Sequence, residues 1–145
     1  MNENDVIATS FLMKRLFERR SKALLDAYQL RMIELNILLF LFHSQGAPTA
    51  TDIIKAKHIS KAHVSKSIER LHRQGFITLY EDEGDRRILR IQLMPQADEV
   101  IEQAVQIRSE CKDAMLEGVT EEELASLGTV LRKIACNIDD ALKAG

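Results

Sequence analysis

"SKAHVSKSIERLHRQGFI", residues 60–77, decides how the chain folds. Ser60 suits a helix start, because a serine hydroxyl accepts a hydrogen bond from a first-turn amide that has no partner inside the helix. Gly75 suits a helix stop, since glycine enters the left-handed backbone region without steric cost. Between them Val64, Ile68 and Leu71 fall at i, i+4 and i+7, one narrow inward stripe. The rest of the helix is polar or basic. After Gly75 the apolar period changes from 3.6 to 2. "FITLY" (76–80) alternates, "EDEGDRR" follows, and "ILRIQL" (88–93) alternates again. This predicts a two-stranded hairpin with a glycine in its turn. A lone hairpin is marginal, so it must pack on the helices.

Upstream, "TATDIIKAK" (49–57), with Thr49 or Thr51 as N-cap, predicts a helix of about two turns, and "HIS" a tight connection. Two helices joined by a tight turn, then a hairpin, read as a winged helix-turn-helix. Residues 5–28 show apolar positions at threes and fours, with Lys14, Arg15, Arg19, Arg20 and Lys22 on the other face. Residues 31–45 are apolar nearly all round from Ile37 to Phe42, which predicts the buried central helix. It should close at "QGAP", with Gly46 as its C-terminal cap. Downstream, Pro95 opens a helix over 96–117 and Gly118 breaks it. "TEEE" is a capping box, Thr120 with Glu123, that starts a last helix. The expected fold is mainly α, six helices with a small β-hairpin wing.

The net charge of −2 hides a gradient. Residues 1–46 carry +1, residues 47–94 carry +3 and residues 95–145 carry −6. Over 55–74, Lys55, Lys57, Lys61, Lys66, Arg70 and Arg73 face only Glu69. A basic middle and an acidic end suit a polyanion held at one end of the molecule. A helix fits the major groove of DNA with its N-terminal half against base edges. There the chain offers Lys61, Ala62, His63, Ser65 and Lys66. Ser60 and the helix amides suit a phosphate, and Arg70 and Arg73 the DNA backbone. At the hairpin tip, Arg87 suits a narrow, electronegative minor groove. Asp85 suits a loop-fixing role by bonding loop amides or an arginine. Arg86 and Arg90 suit phosphates.

The chain resembles the MarR family of bacterial winged-helix regulators. "SKAHVSKSIERLHRQGFI" is similar to the family's recognition helix, and "DRRILRIQL" to its wing, with Asp85 and Arg87 in the Asp-x-Arg positions. The element order matches over essentially the whole length. The resemblance implies a homodimer joined through its first, fifth and sixth helices, palindromic operator DNA, and often a small aromatic or lipophilic effector. Residues 1–30 and 95–145 would form the dimerisation region and 31–94 the DNA-binding lobe, in one continuous unit. Family position suggests Phe11, Arg15, Tyr28 and Phe42 as the effector lining. Two departures stand out. Leu93-Met94 replaces the usual Leu-Thr after the wing, and Gln96-Ala97 stands where a glycine is often found.

The last helix supports the dimer independently. Its Leu124, Leu127, Leu131, Ile134, Ile138 and Leu142 make a stripe near a 3.5-residue period, with little left in the chain to cover it. The resulting expectation is a cytoplasmic, homodimeric transcription regulator, a repressor of double-stranded DNA, with no cofactor, no metal and no membrane span. The chain has no phosphate-binding glycine loop, H-E-x-x-H or G-x-S-x-G, so it does not read as an enzyme. The alternatives are a redox- or metal-responsive regulator of the same fold, or a winged helix that binds protein rather than DNA. Cys111 and Cys136 lie late in the chain, outside any C-x-x-C pair, and read as small helix residues. A basic rather than apolar recognition face argues against the protein-binding alternative.

Overall fold

The structure, a computed structural model, describes residues 3–145, with side chains from residue 5 onward. Residues 1 and 2, at the start of the expected 1–30 segment, lie outside it. The order is α1 (Glu3–Tyr28), α2 (Met32–His43), α3 (Ala50–Lys57), α4 (Lys61–Arg73), β1 (Ile77–Glu81), β2 (Leu89–Leu93), a 3-10 turn (Pro95–Ala97), α5 (Asp98–Met115) and α6 (Glu121–Ala144). Among the described residues there are six helices and one antiparallel hairpin, and α3, α4 and the hairpin form the winged helix-turn-helix that residues 49–93 predict. The chain divides into two compact units, Met1–Cys111 and Lys112–Gly145.

In the first unit α2 is the central element. Leu35, Ile37, Leu38 and Leu39 are buried, against Ile53 of α3, Val64 and Leu71 of α4, Ile77 of β1 and Val100 of α5. α2 ends two residues earlier than its apolar run suggests. Ser44 leaves the helix in an extended conformation, its hydroxyl bonding back to the Phe40 carbonyl at 2.6 Å. Gly46 is therefore not the cap. It lies beyond it, in the loop, with φ +77. Phe42, expected in the buried run, is 51% exposed.

α3 starts at Thr49, whose hydroxyl accepts from the Asp52 amide while the Asp52 carboxylate accepts from the Thr49 amide. His58 closes α3 in the left-handed region, φ 53, a conformation that the "HIS" connection did not announce. Ser60 caps α4 by accepting from the His63 amide at 3.2 Å. At its far end Gly75 has φ +83. Its N–H bonds the His72 carbonyl, and the Phe76 N–H bonds the Leu71 carbonyl. This double closure reverses the chain into β1. A Cβ at Gly75 would sit 2.6 Å from Gln96 Oε1. That side chain can swing aside, but the left-handed backbone cannot be relieved. Gly75→Ala should lower stability by about 1–2 kcal/mol, read as a lower urea midpoint at unchanged slope.

The hairpin pairs Ile77 with Leu93, Leu79 with Ile91 and Glu81 with Leu89. Ile77 and Ile91 face the core, as the alternation requires. In the second unit Thr120 and Glu123 form the expected capping box. No α6 residue is buried, and its Leu127, Leu131 and Ile134 stand exposed along one stripe. Cys111 is buried and Cys136 exposed.

Candidate nucleic-acid interface

Two elements present the basic face. α4, about 20 Å long at 1.5 Å per residue, turns Val64, Ser67, Ile68 and Leu71 inward. Lys61, Ala62, His63, Ser65, Lys66, His72 and Arg73 are thereby left exposed on its outer side. The Ser60 oxygen accepts as the cap, so its own O–H and the unpaired first-turn amides beside it are the donors available to an anion. Arg73 is exposed and paired with Glu69 one turn back.

The wing tip is organised by two aspartates. Asp82 Oδ2 accepts from the Gly84 and Asp85 amides, folding the loop over itself. Asp82 Oδ1 accepts from Arg90 Nε at 3.0 Å. The Arg90 side chain and then the Gly84 amide hold the Asp82 carboxyl below the usual aspartate range. Asp85 accepts from Arg87 at three atoms: Nε and the backbone N–H onto Oδ1, and a terminal nitrogen onto Oδ2. The Arg87 side chain is the larger cause of a lowered Asp85 pKa, its amide the second. One edge of the guanidinium is thus clamped while the side chain stays 90% exposed. Arg86 beside it is also exposed.

Three cations that local charge counting assigns to the outer face are engaged elsewhere. Arg90 donates from Nε to Asp82 and from Nη1 to the Ala47 carbonyl at 3.0 Å. Together with the bond from the Ile91 amide to the Pro48 carbonyl, it ties the wing root to the loop before α3. Arg70 Nε lies 2.6 Å from Oε1 of Glu34, a carboxylate with 0% exposure. The other Glu34 oxygen accepts from the Arg31 amide at 2.9 Å. Lys57 lies over the Phe40 ring, and burial first, Arg108 second, lowers its pKa. Glu34 and Asp82 are the two residues that organise this face and that the sequence reading left out.

The four suggested effector residues occupy different surroundings. Tyr28 tilts against Phe76, and burial and then the Glu99 carboxylate push its phenol up. Phe42 lines a cavity with Leu93, Asp98, Ile101, Glu102, Val105 and Gln106. Phe11 and Arg15 are exposed on α1. Among the described residues there is no cluster of three or more metal-ligating side chains, and no helix is long and apolar enough to cross a membrane.

A capped helix with a basic outer side, closed by glycine into a hairpin with an arginine clamped outward at its tip, defines a winged helix-turn-helix DNA-binding protein. Residues 28–88 match the model of the MarR family. The chain is 29% identical over 132 residues to the HTH-type transcriptional regulator PecS of Dickeya dadantii, covering 89% of this chain and 79% of PecS. The fold of the transcriptional regulator PA3341 is similar, with a TM-score of 0.84 at 24% identity over 94% of this chain and 97% of that one. So is that of the S. aureus MepR–DNA complex, at 0.76 and 21% over 94% and 98%. The chain is thus similar to the MarR family over residues 28–88, and the curated relatives it matches are HTH-type transcriptional regulators.

Proposed function

We propose that this regulator is a cytoplasmic repressor that binds palindromic double-stranded DNA as a homodimer. Its reading elements are α4, laid in the major groove, and Arg87, inserted in the flanking minor groove. The observation that carries this is the Asp85–Arg87 clamp, which fixes a charged fork at a tip that is otherwise open to solvent. An arginine held in position loses less rotamer freedom on binding than a free one. Residues 31–94 form the reading lobe, and residues 1–30 with 95–145 bring two copies together. The DNA structure of MepR, similar in fold, supports the same use of this surface. Ser60, Lys61, Ala62, His63, Ser65, Lys66, Arg73 and Arg86 line the contact, with Arg70, Asp85 and Arg90 holding it in shape.

Release by a small aromatic or lipophilic effector fits the cavity beside Phe42. Its volume, about 360 Å³, lies within the range of small-ligand sites. An effector that prefers one spacing of the two reading heads would shift the population away from the DNA-competent form. Arg87→Ala should cost about 1–3 kcal/mol of operator affinity, measured by fluorescence anisotropy on a footprinted fragment. Unchanged affinity would remove the wing from the contact.

A further inference from the structure

A second basic feature lies beside the reading helix, where α2 begins. Arg31, Ile33, His63, Lys66, Ser67 and Arg70 line a cavity of about 320 Å³. Among these residues and the adjoining Glu34, three permanent cations meet one carboxylate, and that carboxylate is wholly buried and already engaged by Arg70 and the Arg31 amide. An arginine at the cap position has no acceptor to offer the first-turn amides of α2. Glu34, in the first turn, accepts from the Arg31 amide and offsets the partial positive charge of that helix end, so the charge of the recess comes from the side chains of Arg31, Lys66 and Arg70. Ser67 lines the same cavity at 5% exposure. Three cationic side chains and a buried hydroxyl converge on one recess of ligand size.

We infer that this recess seats one phosphodiester of the DNA backbone, with Arg31 and Lys66 as its charged contacts and Ser67 as a hydrogen-bond donor. Glu34 acts as a positioning residue that holds Arg70 at the edge of the seat. The inference rests on the DNA-binding reading and adds Arg31 and Ser67 to it. Their contact carries register rather than sequence, because a phosphate is the same at every base step. It sets how far α4 enters the groove.

The test is the slope of log K against log salt on a random-sequence duplex, measured for the full-length wild type, Arg31→Ala, Arg31→Gln and Arg31→Lys. Each neutralised phosphate contributes close to one unit of slope. Arg31→Ala and Arg31→Gln should each lose about one unit and weaken operator and random DNA alike, while Arg31→Lys keeps the slope. Arg31 is exposed, and an unchanged urea midpoint verifies that each variant is folded. An unchanged slope in the folded alanine and glutamine variants overturns the seat. Inorganic phosphate, titrated at constant ionic strength while the Ser67 amide resonance is followed, identifies a free anion as the occupant. A shift there with an unchanged slope also overturns the proposal. Arg87→Ala in the same assay separates the two readings. If it weakens operator binding while Arg31→Ala is silent, only the seat falls. If the wild type binds no duplex, the regulator reading falls and the seat with it.

Discussion

Arg70→Met is expected to destabilise the fold by about 3 kcal/mol, far more than an exposed cation on a DNA-facing helix normally contributes. The reason is Glu34. Its carboxylate has 0% exposure and rests on two donors, the Arg31 amide and Arg70 Nε. Removing the guanidinium leaves a buried charge with half its support. Arg70 is about a third exposed, so water replaces part of the loss, and the lower end of the usual range applies. Lys66→Met, exposed on the same helix, serves as the control and should stay within about 0.5 kcal/mol of wild type. Replacing both members of the pair, Glu34→Met with Arg70→Met, should recover most of the loss, because no buried charge is then stranded. Urea denaturation reads all three. An Arg70→Met midpoint equal to that of Lys66→Met would mean that the pair carries no structural role.

Leu131→Glu should convert a dimer into a 16.5 kDa monomer. Leu131 lies in the α6 stripe with Leu127, Ile134 and Ile138, all exposed in the single chain. A stripe of that length and spacing is stable in water when another surface covers it. A carboxylate at its centre must be desolvated if two copies are to join there. Sedimentation equilibrium measures the mass. Operator binding should fall by about 100-fold or more, since one reading head loses the effective concentration the other supplies. Far-ultraviolet circular dichroism should be nearly unchanged in the first unit. A wild-type monomer, or a dimer that survives the substitution, would reject residues 1–30 and 95–145 as the joining region.

The reading helix and wing are legible in the sequence because their signals are local. Ser60, the Val64–Ile68–Leu71 stripe, Gly75 and the change of period lie within a few residues of each other, and each has one physical reading. The partners of the charges are not legible in that way. Glu34 looks like an interruption of the apolar run "MIELNILLFLF", yet it is the anchor of a helix that begins 27 residues later. Nothing in local spacing links it to Arg70. Arg90 likewise reads as one more wing cation, because its acceptors, Asp82 and the Ala47 carbonyl, lie across the hairpin and before α3. The end of α2 is misread for another reason. Gly46 is a strong stop signal, but the Ser44 hydroxyl captures the Phe40 carbonyl first.

The departure at Gln96-Ala97 has a structural account. Gln96 Nε2 donates to the Gln74 carbonyl at 3.0 Å, beyond the end of α4, and Ala97 is fully buried. The side chain that replaces a glycine there contributes a tie between the reading helix and the start of α5.

Footprinting on a genomic fragment selected by the protein tests the central claim most directly. Two protected half-sites are expected on a dyad, with centres about 10 base pairs, or one helical turn, apart and flanking minor-groove protection that disappears in Arg87→Ala. A single unpaired patch, or no protection at any salt concentration, would contradict it.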